Sequence, residues 1–177
     1  MTTSDSPLLV HAGEYNAQAL SEIYDRYAKS VYRYLYRYLG DAAQAEDLTG
    51  EVFLKLLEVL GTRRAPRKNL KGWLYRVAHN LTMDWFRQQA RGPTVTLDEG
   101  LVAGNDLPIT AVAKRLDQQK LRLAIGQLTS AQQQVILLRF GEGFKVAEVA
   151  ELMDKSQGAV KILQHRAIKR LRKLLEG

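Results

Sequence analysis

The chain has 177 residues, and its 26 lysines and arginines against 19 aspartates and glutamates give a net charge of +7. Because there is no cysteine, a disulfide framework and a thiolate metal site are excluded, and a reducing cytoplasm suits the chain. The N-terminus lacks the basic start and apolar run of a signal peptide, and no apolar stretch approaches the roughly 20 residues that span a bilayer. We therefore expect a cytoplasmic protein without membrane insertion.

Periodic apolar residues predict three helices in the first half of the chain, over residues 15–39, 42–60 and 70–90. Asp41 is placed to cap the second helix, and Asn69 is placed to cap the third. Tyr24, Tyr27, Tyr38 and Trp85 fall at positions typical of core residues.

Residues 91–113 have no period and carry glycines, prolines and acidic side chains, which predicts a flexible linker. Beyond it, helices are expected over 111–127 and 128–140, and no strand-like alternation of useful length occurs. The predicted fold is all-α, with two small helical domains, 10–90 and 114–177, joined by the linker.

The charge is concentrated in the last third of the chain. Residues 114–177 carry 13 basic against 6 acidic side chains, whereas residues 91–113 carry one basic and three acidic side chains. A small basic domain indicates a polyanionic partner, although a solvated basic surface has the same composition.

The stretch "GFKVAEVAELMDKSQGAVKILQHRAIKRL", residues 143–171, holds two short amphipathic segments separated by a polar turn. Two short helices joined by a tight turn predict a helix-turn-helix, with Ser156 as the N-cap of the second helix. An ordinary helical hairpin is the alternative. A helix of this kind fits the major groove of DNA, and its outward face is formed by Lys155, Ser156, Gln157, Gly158, Lys161, Ile162, His165, Arg166 and Lys169.

The run "AEVAELMDKSQGAVKILQHRAIKRLRKLL" resembles the promoter-binding C-terminal domain of bacterial sigma factors. It departs from the usual pattern at Thr129, where a proline is common, at Lys145, where a serine or threonine usually caps the helix, and at Leu163, where many members carry arginine. The resemblance implies that the outward face of the second helix reads the minus-35 promoter element.

"AEDLTGEVFLKLLEVL" and "NLKGWLYRVAHNLTMDWFRQQ" resemble the N-terminal domain of the extracytoplasmic-function (group 4) sigma factors of the sigma-70 family. The resemblance covers residues 15–90 and 115–175. It implies an alternative sigma factor that binds core RNA polymerase and promoter DNA, directs promoter-specific initiation, and is held inactive by an anti-sigma factor.

Acidic residues recur along one face of the second predicted helix, at Asp47, Glu51 and Glu58, with Leu54 beside them. An acidic stripe with an exposed leucine suits docking onto a basic helical partner, although a charged solvent face is the default interpretation. The resemblance implies that this stripe binds the clamp helices of the polymerase largest subunit. Gly50 stands where a glutamine is usual.

Basic and aromatic residues are interleaved between positions 61 and 87. Basic groups follow a phosphate backbone and aromatic planes stack on unpaired bases, so this pattern predicts contact with single-stranded DNA. The resemblance implies recognition and melting of the minus-10 element by Arg63, Arg64, Arg67, Lys68, Lys71, Trp73, Tyr75, Arg76, His79, Asn80, Met83 and Arg87.

No HExxH, GxxxxGK[ST] or GxSxG pattern occurs, so we expect neither an enzyme nor a bound metal or cofactor. Two rival interpretations remain. One is a stand-alone helix-turn-helix transcriptional regulator with a helical sensor domain, and the other is a helical adaptor that binds only protein.

Overall fold

The computed structural model describes residues 6–91 and 109–177, so most of the predicted linker lies outside the described residues. No strand occurs in these two ranges. The helices are α1 (Ser6–Gly13), α2 (Ala17–Leu39), α3 (Ala42–Val59), α4 (Leu70–Arg91), α5 (Ile109–Gly126), α6 (Ser130–Ile136), a π-helical turn (Leu137–Gly141), α7 (Val146–Met153) and α8 (Gln157–Glu176).

Local capping explains where the N-terminal helices start and stop. The side chain of Asn16 accepts a hydrogen bond from the backbone N–H of Ala19 at the start of α2, and Gly40 ends that helix at a φ of 70°. Asp41 caps α3 as predicted, accepting from the backbone N–H of Gln44 at 3.0 Å.

Helices α2, α3 and α4 pack against one another and enclose the N-terminal core. One residue departs from the predicted core: Tyr24 is 50% exposed, and its ring meets the edge of Phe53 with the centroids 4.9 Å apart. The sequence also did not predict α1. This helix has only eight residues, too few for a clear period. It packs against α2, and its Leu9 and Ala12 are buried.

The C-terminal domain is built from α5 to α8 around the contacts of α8 with α5, α6 and α7. Thr129 and Gln132 form a capping box at the start of α6. The helix predicted to run through Phe140 leaves α-geometry after Ile136 and widens into the π-helical turn, in which the N–H of Glu142 donates to the Leu137 carbonyl at 3.0 Å.

The two domains share one continuous apolar core. Buried side chains of the C-terminal domain, among them Val135, Leu138, Phe144 and Val149, belong to the same cluster as the buried residues of α2, α3 and α4. The two domains therefore lie in direct contact. The order of the helices confirms the all-α, two-domain fold with a C-terminal helix-turn-helix.

Candidate nucleic-acid interface

The turn between α7 and α8 is short, and hydrogen bonds hold its backbone in place. Asp154 adopts a left-handed conformation with a φ of 52°, and the N–H of Lys155 donates to the Ala150 carbonyl at 2.9 Å. Ser156 then caps α8 as predicted, its hydroxyl accepting from the N–H of Ala159 at 3.1 Å. Since these bonds fix where α8 starts, they also fix which side chains its first turns present.

The buried and exposed sides of α8 separate cleanly. Val160 and Ala167 are fully buried against the rest of the domain. All nine residues of the predicted minus-35 face are exposed, and Ile162, the apolar member, is 54% exposed. Near the helix start, a Cβ added at Gly158 would have no neighbour closer than the Ser156 hydroxyl at 3.9 Å, so this surface is open to a ligand backbone.

The loop before α4 presents its basic residues to solvent. Arg63, Arg64, Arg67 and Lys68 are all exposed. Asn69, at a φ of 53°, ends the loop and caps α4, its side-chain oxygen accepting from the N–H of Gly72 at 3.0 Å.

Glycine at position 72 leaves room for the Asn69 cap, because a Cβ there would lie 2.5 Å from the Asn69 side-chain nitrogen and would force that side chain to shift. The predicted cap thus depends on a small residue three positions later.

The predicted minus-10 residues on α4 fall into two groups, with His79 apart from both. Asn80 and Arg87 are exposed, and Arg87 forms an ion pair with Asp84 one turn earlier. Trp73 is partly buried and packs on the core, as Trp85 does. These residues remain on the outside or flank of the N-terminal domain.

The second group touches the C-terminal domain. The Lys71 ammonium lies 4.3 Å from the centre of the Phe144 ring. The Tyr75 hydroxyl donates to Glu142 at 2.6 Å, and the Arg76 guanidinium donates to the Glu151 carbonyl oxygen at 2.8 Å. The sulfur of Met83 accepts from the hydroxyl of Ser130 at 3.1 Å.

His79 is placed differently from the rest of its predicted group. Its ring meets the ring of Tyr38 edge-on at 5.9 Å, and its buried Nδ1 has no hydrogen-bond partner. Burial lowers the pKa of His79 to about 4, so the imidazole is neutral at pH 7. A neutral, half-buried ring is a weak phosphate ligand.

The predicted polymerase-docking stripe lies on the outer face of α3. Asp47, Glu51, Leu54 and Glu58 are all exposed, and Leu54 is 58% exposed. The opposite face of α3 is buried through Ala45, Val52 and Leu56. Among the described residues, one ion pair involves these acids: the Lys55 ammonium lies 3.9 Å from the Glu51 carboxylate.

Three residues at the contact between the domains were not predicted as functional, namely Arg37, Glu142 and Phe144. Arg37 donates to Glu142 at 2.6 Å, and the Phe144 ring meets Tyr75 edge-on at 5.0 Å. A weak signal existed for one of them: Phe144 directly precedes the N-cap of α7, a position where apolar side chains commonly pack.

Within residues 6–91 and 109–177, no group of three or more histidine and carboxylate side chains lies close enough to hold a metal ion. None of the described helices combines the length and apolarity needed to cross a membrane.

Sequence comparison finds relatives along most of the chain. Residues 23–92 match the family model for sigma-70 region 2, and residues 124–173 match that for sigma-70 region 4. The ECF RNA polymerase sigma factor BldN of Streptomyces coelicolor is 40% identical over 167 residues, an alignment that covers 93% of this chain and 62% of BldN. SigX of Bacillus subtilis, another ECF sigma factor, is 31% identical over 165 residues, covering 87% of this chain and 82% of SigX.

Solved structures show the same fold. CnrH, solved in complex with the cytosolic domain of CnrY, superposes with a TM-score of 0.76 at 20% identity, covering 97% of both chains. The sigma factor RpoE of Bartonella quintana, solved with the anti-sigma factor NepR, gives a TM-score of 0.64 at 20% identity, covering 88% of this chain and 96% of RpoE. The two matched regions and the 31% identity to SigX establish that the chain belongs to the extracytoplasmic-function sigma factors of the sigma-70 family.

Proposed function

We propose that this chain is an alternative sigma factor that binds core RNA polymerase in the cytoplasm and directs it to promoters through two DNA contacts. In this proposal residues 10–90 dock on the polymerase and melt the minus-10 element, residues 91–113 act as the linker, and residues 114–177 read the minus-35 element. The chain itself contributes no catalytic group.

The observation that carries the proposal is the outward face of α8. Its basic residues Lys161, Arg166 and Lys169 are exposed together with Gln157 and Ile162, and the buried side of the helix is fully used in packing. A basic, exposed recognition helix behind a short turn can enter the major groove, where its first turns reach base edges and its cations reach phosphates.

The acidic stripe of α3 supports the polymerase contact. Asp47, Glu51 and Glu58 present negative charge around an apolar side chain, Leu54, that has no role in the core. Such a surface combines electrostatic steering with an apolar anchor, the two features typical of a specific protein interface.

A protein partner that restrains the chain is also part of the proposal. The structures of CnrH with CnrY and of RpoE with the anti-sigma factor NepR are complexes of proteins that share this fold. We expect an anti-sigma factor to bind this chain and to compete with polymerase or promoter DNA.

The test is transcription by bacterial core polymerase on a library of random promoter-length duplexes, with and without the chain. We expect discrete start sites only when the chain is present, with two enriched sequence elements upstream. If the chain neither binds nor redirects core polymerase but still retains duplex DNA, it is a stand-alone helix-turn-helix regulator instead. If it retains neither, the adaptor interpretation is the better one.

Variants of the α3 stripe sharpen this test. Leu54→Ala removes an exposed apolar side chain, so it should weaken binding to core polymerase without lowering the melting temperature. Val10→Ala, at a residue that is 63% exposed on α1, is the matched control and should bind core polymerase normally.

A further inference from the structure

The turn between α1 and α2 lies against the loop between α3 and α4, residues 61–69, here called the basic loop. The hydroxyl of Tyr15, in this turn, donates a hydrogen bond to the Leu60 carbonyl at 3.3 Å. A Cβ at Gly61 would lie 3.4 Å from the Gly13 carbonyl oxygen and 4.0 Å from Cε2 of Tyr15. The edge of the Tyr15 ring is therefore next to the first residue of the basic loop.

The fold alone does not account for a tyrosine at position 15. Tyr15 is 63% exposed, so its ring contributes little to the core. Its φ of 56° lies in the left-handed region, which glycine and asparagine adopt more readily than tyrosine does. Residues other than glycine in this conformation cluster at functional sites. The exposed ring at this backbone position thus points to a contact outside the fold.

The basic loop is held in place beside this ring. Pro66, in the middle of the loop, is buried. The Thr62 hydroxyl donates to the Val59 carbonyl at 2.6 Å and accepts from the N–H of Arg64 at 3.1 Å. Because the ring and the loop are both anchored, a ligand that touches one of them meets the other at a fixed distance.

The charge around the ring is positive. The basic loop carries four exposed cations, Arg63, Arg64, Arg67 and Lys68. Among the described residues, none of these four forms an ion pair. The carboxylate of Glu14, which precedes Tyr15, lies 3.7 Å from Nδ1 of His11 instead. An anionic ligand is therefore favoured beside the Tyr15 ring.

An exposed aromatic ring beside cations is the arrangement that binds single-stranded nucleic acid, because a base stacks on the ring while the cations hold the phosphates. In a duplex the faces of each base are covered by its neighbours, so such a ring selects an unpaired base. We propose that Tyr15 is a stacking platform for one unpaired base of the melted minus-10 element, with Arg63 and Arg64 on the flanking phosphates. The platform rests on the proposed function, and it adds a residue before α2 to a surface predicted only on the basic loop and α4.

The experiment measures the affinity of the polymerase holoenzyme for a forked probe made from a promoter selected from the random library. The probe is duplex at minus-35 and single-stranded at minus-10. Tyr15→Asn removes the ring but suits the left-handed backbone, so the variant should fold as the unmodified chain does. Its affinity for the forked probe should fall by about 5-fold to 100-fold, the range that stacking of one base contributes. A duplex probe that ends before minus-10 should bind as before.

Two further variants separate the ring from its hydroxyl and from tyrosines in general. Tyr15→Phe keeps the ring and loses only the bond to Leu60, so its affinity for the forked probe should stay within about twofold. Tyr24→Leu is the matched control, because it removes a tyrosine ring that is 50% exposed on α2. It should bind the forked probe as the unmodified chain does.

An abasic scan of the forked probe identifies the stacked base. Each base of the single-stranded minus-10 element is replaced in turn by an abasic site. At one position the replacement should weaken binding by the unmodified chain and by Tyr15→Phe, but not by Tyr15→Asn, which has already lost the contact. If no position shows this difference, the platform is overturned.

The other contrary outcomes are distinct. Equal losses for Tyr15→Phe and Tyr15→Asn would show that the bond to Leu60 matters rather than the ring. Equal losses on the forked and duplex probes, or a loss confined to binding of core polymerase, would show that no unpaired base is bound. Each of these results overturns the platform. If the unmodified chain does not bind the forked probe with core polymerase, the proposed function fails and the platform with it, whereas unmodified behaviour of Tyr15→Asn overturns the platform alone.

Discussion

The face of α8 and the face of α4 are both predicted to contact promoter DNA, but the two faces differ in exposure. All nine residues of the α8 face are exposed, whereas Tyr75 on α4 is 1% exposed and bonded to the other domain. The predicted minus-35 face is thus open to solvent as it stands. Part of the predicted minus-10 surface is engaged instead, because Lys71, Tyr75 and Arg76 on α4 contact the C-terminal domain.

The largest expected effect tests the α8 side of this comparison. The double variant Lys161→Ala with Arg166→Ala should weaken promoter binding by about 2–4 kcal/mol, because each lost contact to phosphate or base costs about 1–3 kcal/mol. The measurement is the affinity of the polymerase holoenzyme for a selected promoter at several salt concentrations, and the salt dependence should become shallower.

Lys114→Ala, at an exposed residue of α5, is the control for the loss of positive charge. Equal losses in the control and the double variant would mean that net charge, rather than the α8 face, determines binding.

A pH-dependent effect distinguishes the buried side of α4. The pKa of His79 is lowered to about 4 in the folded chain, against an ordinary value of 6.5. As the pH falls, His79 is therefore protonated in the unfolded chain before it is protonated in the folded chain. This difference lowers the free energy of unfolding between about pH 6.5 and pH 4, by about 2 kcal/mol once partial solvent access is allowed for. Chemical denaturation at several pH values measures this change in the free energy of unfolding.

His79→Asn should remove this component of the pH dependence, whereas Asn80→Ala, at the exposed neighbouring residue, should keep it. An identical pH profile for the unmodified chain and His79→Asn would show that the imidazole is not held neutral by burial.

A substitution on each of the two faces should also change the free energy of unfolding by different amounts, and this effect is smaller. Tyr75→Phe leaves one oxygen of the buried Glu142 carboxylate without its donor, so it should lower the free energy of unfolding by about 1–2 kcal/mol. Ile162→Ala alters an exposed side chain of α8 and should stay within about 0.5 kcal/mol of the unmodified chain. Denaturant titration measures both, and equal stability of the two variants would contradict the contrast between the faces.

The smallest effect concerns α3. A Cβ at Gly50 would meet nothing within 4 Å, and the residue is exposed in the middle of the helix. Gly50→Ala should therefore raise the free energy of unfolding by up to about 1 kcal/mol through helix propensity alone. Gly72→Ala is the opposite case, because its Cβ would collide with the Asn69 cap, and it should lower stability. Thermal melting distinguishes the two signs.

Much of the fold could be predicted from the sequence because its signals are local. Asp41, Asn69 and Ser156 cap the helices that follow them, and each cap bonds a backbone N–H three residues later. The helix-turn-helix could be placed for the same reason, since the apolar spacing and the cap fix which face of α8 points outward.

The contact between the domains could not be predicted in this way. Arg37 and Glu142 are separated by 105 positions and Tyr75 and Glu142 by 67, and neither pair leaves a pattern in the nearby sequence. The sequence predicts a DNA contact for Tyr75 and no role for Glu142. The assignment of each residue of the two promoter-binding faces remains a prediction.

The covalent connection between Arg91 and Ile109 gives the Glu142 contact a property that a contact between separate molecules lacks. Because both halves belong to one chain, the fraction of molecules that make this contact does not depend on the protein concentration. A modest set of bonds can therefore persist at dilutions at which two separate domains with the same contacts would come apart.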